Sequence, residues 1–163
     1  MFVRTAGDRD LVAIRALLVE TWHATYDAIY GADKVTAITD EWHSVASLKA
    51  RLAKPNSEFL VAHDGKRIGG VAFAEAVDGG KLIALKQLYV LPSLQGRGIG
   101  GMLLDEVIES FPEAHAIRLE VEEQNTRAIA FYEANGFVIS ADLGEHAGAS
   151  GEPALVYRRP LAG

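Results

Sequence analysis

The chain has 163 residues, 49% hydrophobic and 23% charged, with a net charge of −6 and no cysteine. That size suits a single domain with a sizeable core, predicted here over residues 1–163; disulfides, thiolate metal sites and thiol nucleophiles are excluded. The acidic balance argues against nucleic acid and admits a cationic substrate. No apolar stretch approaches the roughly 20 residues of a membrane span, and Met1-Phe2-Val3-Arg4-Thr5 lacks a secretory pattern, so a soluble cytoplasmic protein with no membrane partner is expected.

Phe2–Ala6 reads as a short strand, and Asp8 as the N-cap of a helix. Leu11, Ile14, Leu18 and Trp22 recur at helical spacing, which predicts an amphipathic helix over 9–26. Residues 27–43 lack a clear period and carry Tyr30, Trp42 and His43; they read as loop or broken helix. Ser44–Ala53 is helical and stops before Pro55. Glu58–His63 and Ile68–Val77 are strands joined by the hairpin turn Asp64-Gly65-Lys66. Asp78-Gly79-Gly80 turns the chain into a third strand, Leu82–Leu91. A helix over Ile99–Phe111 keeps Ile99, Leu103, Val107 and Phe111 on one face. A strand at Ala116–Val121 and a short helix at Asn125–Asn135 follow, the helix closed by Gly136 at a left-handed C-cap. Strands at Phe137–Ala141 and Ala154–Tyr157 flank a glycine-rich loop, 144–151. The alternation of strands and helices, without repeat or linker, is that of one mixed α/β domain.

Residues 95–100, Gln-Gly-Arg-Gly-Ile-Gly, lie between a strand and a helix. Gly96, Gly98 and Gly100 let backbone approach a ligand closely. The first amides of the helix have no intrahelical partner and lie at the positive end of its dipole. Beside Arg97 they form a site suited to phosphate or pyrophosphate. Gly96-x-Gly98-x-x-Gly101 also satisfies the dinucleotide fingerprint, with Glu120 at the ribose-binding distance of about 20 residues. A nicotinamide-dependent oxidoreductase is therefore one alternative. Context opposes it: Pro92-Ser93-Leu94-Gln95 separate strand from turn, and only about 60 residues remain for further βα units. No Gly-Lys-Ser/Thr follows, so the segment is not a P-loop.

The neighbouring residues add a third reading. Leu88-Tyr89-Val90-x-Pro92-x-x-Gln95-x-x-Gly98-x-Gly100 resembles the coenzyme A-binding signature of the GCN5-related N-acetyltransferase superfamily. Asn125-x-x-Ala128-x-x-Phe131-Tyr132-x-x-Asn135-Gly136-Phe137 is similar to that superfamily's later segment. The resemblance covers 82–140 closely and 1–81 only through element order and a Trp-x-x-x-Tyr helix. It implies a mostly antiparallel sheet of about six to seven strands flanked by helices, with the central strands splayed. It also implies acetyl-CoA as co-substrate, no metal, direct transfer to a primary amine of a small molecule or peptide, and a homodimer. A non-catalytic acyl-CoA sensor or scaffold of the same fold is the second alternative.

On that resemblance, backbone groups of Leu88, Tyr89 and Val90 would pair with the pantetheine arm as with an added strand, an amide at or near Val90 polarising the thioester oxygen. Gln95, Gly96, Arg97, Gly98, Ile99 and Gly100 would hold the pyrophosphate, and Asn125 would cap its helix or bind the coenzyme arm. Tyr132 would be the general acid, since a phenol of pKa about 10 can protonate a thiolate of pKa about 8.5. For the base, Glu120 leads over Glu122, Glu75 and His43, with a water chain as the other route. Tyr26 and Tyr30 would line the acceptor pocket, and Trp22 would pack in the core. The five histidines show no metal-ligand spacing, and His146 reads as a solvated loop residue.

Overall fold

Gly31, at φ 88°, breaks the stretch between the first strand and Ser44 into two helices. Chain order runs β1 (Phe2–Thr5), α1 (Leu11–Tyr30), α2 (Ala32–Trp42), α3 (Val45–Leu52), β2 (Ser57–His63), β3 (Ile68–Val77) and β4 (Leu82–Val90). It continues with α4 (Ile99–Ser110), β5 (Ala116–Glu122), α5 (Thr126–Ala134), β6 (Val138–Ile139) and β7 (Ala154–Pro160). The computed structural model describes residues 1–140 and 154–161; the glycine-rich loop 144–151 and His146 lie outside them.

The strands form one sheet in the order β1-β2-β3-β4-β5-β7-β6, antiparallel except where β4 meets β5. This is the mixed, mostly antiparallel architecture expected. Both faces are covered, so β2 is buried on both sides despite strict alternation. Phe59 and Val61 pack with Leu11, Ile14, Leu18 and Leu48 of α1 and α3. Leu60 and Ala62 pack on the opposite face with Ile99, Leu103 and Val107 of α4. A Cβ on Gly70 would stand 2.9 Å from Leu103 Cδ1 and 3.2 Å from the Tyr89 carbonyl oxygen. The missing side chain therefore lets α4 settle onto β3, which places the start of α4 at the end of β4.

One open local reading is decided and one expectation changes. Of the two readings for residues 27–43, the broken helix holds: α1 runs to Tyr30 and α2 over Ala32–Trp42, because Tyr26, Val35 and Ile38 bury an apolar face that composition alone conceals. Asp8 caps nothing: it opens a 3₁₀ turn with Gly7 as the N-cap. Asp10 instead accepts from the Gly7 amide at 2.8 Å and forms a two-pronged pair with Arg4. The remaining punctuation matches: Asp64 accepts from the amides of Lys66 and Arg67 at 2.8 Å, and Gly136 has φ 87°.

Candidate active site

The sheet opens at a defined point. β4 and β5 pair in parallel from Leu82↔Ala116 to Leu85↔Leu119 and no further. On its other edge β4 bulges there, because Ala74 faces Leu85 while Phe73 faces Gln87, leaving Lys86 as the extra residue. A bulge bends its strand and increases twist, so β4 turns away from β5 just beyond the last pair. The gap is part of a cleft of about 840 Å³ walled by β4, the glycine turn, the start of α4, β5, α5 and α1.

Backbone groups of β4 face this gap. Leu91 N–H donates to the Gly69 carbonyl at 2.9 Å, toward β3. Antiparallel pairing alternates the direction of successive residues. The N–H and C=O groups of Val90 and Leu88 therefore point the other way, toward the edge that β5 has left. Gln95 Nε2 donates to the Val90 carbonyl at 3.1 Å and ties the following turn to the strand end.

The turn ends in Gly96 and Gly98, at φ 80° and 83°, a left-handed conformation that disfavours any other residue. Gly98 is the N-cap of α4 and supplies no side-chain bond, so the first amides of that helix stay available to an anion. Gly100 has another reason to be glycine: a Cβ there would meet the Phe131 ring at 3.1 Å. Nothing lies within 4 Å of the corresponding point on Gly101. The third glycine of a dinucleotide fingerprint serves close helix–strand packing, and that need is missing here.

The far wall carries the ionisable groups. Tyr132 is buried, packed edge-on between Phe131 and Phe137 at ring distances of 5.3 and 5.4 Å, and it lines the cleft. Burial pushes its phenol above the ordinary tyrosine range, so it keeps its proton. Asn125 caps α5, its Oδ1 accepting from the Ala128 amide at 3.2 Å, while its Nδ2 donates to the Tyr26 hydroxyl at 3.1 Å. One N–H and one lone pair of that amide remain for another partner. The Tyr26 hydroxyl donates in turn to Glu122 Oε2 at 2.9 Å. Burial, then the neighbouring Tyr89 and Glu122, push the Tyr26 phenol up as well.

Leu88, Tyr89, Val90, Gln95, Gly96, Gly98, Ile99, Gly100, Glu120, Asn125, Tyr132 and Tyr26 all line this one cleft. Arg97 is exposed and stands outside its walls. Tyr30 also stands outside, stacked on Tyr26 at 5.5 Å. Glu75 is buried and paired with Lys54 away from the cleft. His43 is 3% exposed behind Trp22, and burial, with Arg51 and Arg15 nearby, lowers its pKa to about 3. Sequence reasoning placed Glu122 on the cleft side by alternation but missed its bond to Tyr26, 96 positions away. It also missed Gln87, which lines the cleft and accepts from Arg51 at 2.9 Å. Among the described residues, no group of three or more His, Asp or Glu could hold a metal ion.

Comparison with known proteins agrees with this geometry. The model of the acetyltransferase (GNAT) family matches residues 13–137. The peptidyl-lysine N-acetyltransferase YiaC of Escherichia coli (strain K12) is 31% identical over 140 residues, covering 84% of this chain and 83% of that protein. An uncharacterized N-acetyltransferase of Mycobacterium tuberculosis is 27% identical over 155 residues, 93% of this chain and 98% of the other. The structure of PaiA N-acetyltransferase from Thermoplasma acidophilum, in complex with coenzyme A, shares the fold with a TM-score of 0.87 at 22% identity, covering 98% of both chains. With its splayed sheet, its glycine turn and a family match over most of its length, the chain belongs to the GNAT family of acetyltransferases.

Proposed function

We propose that this chain is an acetyl-CoA-dependent N-acetyltransferase, a single domain over residues 1–163, acting by direct transfer to a primary amine of a small molecule or peptide. The observation that carries the reading is the parting of β4 from β5 beyond Leu85 and Leu119, with the Leu88 and Val90 backbone turned into the gap. The gap opens into a cleft of about 840 Å³, its strand edge suits the amide groups of an extended arm, and the uncapped start of α4 suits a diphosphate. YiaC, named as a peptidyl-lysine N-acetyltransferase, and the N-alpha-acetyltransferase RimI of Mycobacterium tuberculosis, 31% identical over 100 residues, support a peptide or protein amine among the acceptors. A homodimer belongs to the same proposal and rests on the family resemblance.

Bound acetyl-CoA supplies an activated acetyl group and a thiolate leaving group. The chain's own groups serve the rest. An amide at or near Val90 donates to the carbonyl oxygen as negative charge develops there. Glu120, exposed at the cleft, takes a proton from the acceptor ammonium, giving the free amine that forms the new C–N bond. As the C–S bond breaks, Tyr132 gives its proton to the departing sulfur and is reprotonated by the one the nitrogen loses. Holding both reactants in one cleft supplies much of the rate.

The test is coenzyme A thiol release with acetyl-CoA across a panel of lysine peptides, N-terminal peptides and small amines, with mass analysis of the acceptor. Acetylated amine and free thiol in equal amounts are expected. Tight acetyl-CoA binding without release for any amine would instead favour the sensor or scaffold.

A further inference from the structure

Glu122 closes β5 in the cleft wall beside Tyr26, two residues beyond Glu120 on the same side of the strand. Its Oε2 is fixed by Tyr26; among the described residues its Oε1 has no partner. The Tyr26 hydroxyl has one hydrogen. Because it already accepts from Asn125, that hydrogen is directed to Glu122. The phenol is held in place: Tyr26 is 2% exposed, with the Trp22 ring at 4.6 Å and the Tyr30 ring stacked on it at 5.5 Å. Glu122 is thus a carboxylate held in place before any ligand arrives, with one oxygen free.

The charged groups lining the cleft are Lys86, Glu120, Glu122 and Arg127. The two cations stand on β4 and α5, whereas both anions stand on β5. Facing them, α1 contributes Thr21, Ala24, Thr25, Tyr26 and Ile29, none charged. Two carboxylates roughly 7 Å apart along a strand, opposite a neutral wall, attract an ammonium and repel a second carboxylate.

Resting on the acetyl-transfer reading above, we propose that Glu122, positioned by Tyr26, recognises the acceptor and selects a primary alkylammonium with no carboxylate beside it. A lysine side chain in a peptide and a polyamine both present that group; a free α-amino acid does not.

The test compares wild type, Glu122→Gln, Glu122→Asp and Tyr26→Phe in thiol release with three acceptors: a lysine peptide blocked at its N-terminus, spermidine, and free alanine. Wild type is expected to use the peptide or spermidine and to leave alanine untouched; whichever turns over identifies the source of the ammonium. Glu122→Gln should raise the amine KM at least tenfold, with the acetyl-CoA KM within twofold of wild type. Tyr26→Phe should raise the amine KM by less, and Glu122→Asp should recover part of the loss. The unchanged acetyl-CoA KM separates recognition from misfolding. An amine KM unaltered in Glu122→Gln, or wild type preferring alanine, overturns the proposal. No thiol release with any amine overturns the acetyl-transfer reading, and this proposal with it.

Discussion

The Phe131 ring lies 3.1 Å from the point where a Cβ on Gly100 would stand, so α4 and α5 meet through the absence of a side chain. Both residues line the cleft. Gly100→Ala therefore pushes Phe131 or tilts α4, an overpacking cost of about 1–3 kcal/mol. Calorimetry should show weaker coenzyme A binding together with a lowered Tm. Gly101→Ala is the control: with open space at its Cβ and a helical backbone, it should raise the stability of the ligand-free protein by up to about 1 kcal/mol. If both variants behave alike, the contact with Phe131 is not what requires glycine at 100.

Gly98 is constrained by its backbone instead. At φ 83° with nothing within 4 Å of its Cβ, alanine fits in space but costs about 1–2 kcal/mol in conformation. Gly98→Trp adds bulk beside the first amides of α4 and should reduce coenzyme A affinity by more than about tenfold, a loss above 1.4 kcal/mol. Retained affinity in a titration would remove the diphosphate from this turn.

Tyr132→Phe deletes only a hydroxyl from a buried ring. As general acid it should account for about a hundredfold in kcat, while the acetyl-CoA KM moves little. Burial holds the wild-type phenol above its usual range, so the acid stays loaded and the alkaline side of the rate profile up to about pH 10 should owe nothing to Tyr132. An unchanged kcat in steady-state kinetics would return this ring to a packing role.

His43 makes stability depend on pH. Its folded pKa of about 3 lies below the ordinary histidine value of 6.5, so the unfolded chain binds more protons between those values. Its contribution is complete above pH 6.5 and is lost as pH falls toward 3, by up to about 1.4 kcal/mol per pH unit. Arg51, which donates to His43 Nδ1 at 3.2 Å, keeps the ring neutral on that side. Urea unfolding of wild type and His43→Gln between pH 4 and 7 should show a shallower slope in the variant; parallel slopes would contradict the buried neutral ring.

Much of the molecule was written in local signals. The glycine turn at 96–98, the face Ile99-Leu103-Val107, the Asp64 hairpin, the Asn125 cap and the Gly136 stop each follow from backbone geometry or helical period over a few residues. Those residues, with the motif around Leu88 and Tyr132, were enough to expect the fold, the family and most of the cleft's lining. Tertiary structure decided what links distant parts. Lys86 became the bulge where the sheet opens, Gly100 the contact for Phe131, and Tyr26 the partner of Glu122. It also hid His43, moved Arg97 and Tyr30 off the cleft walls, and decided between loop and broken helix over 27–43 through burial of Val35 and Ile38. The physical reason is range: dihedral preference and periodicity act over a turn or a strand, whereas a contact across about a hundred residues exists only once the sheet has set its register.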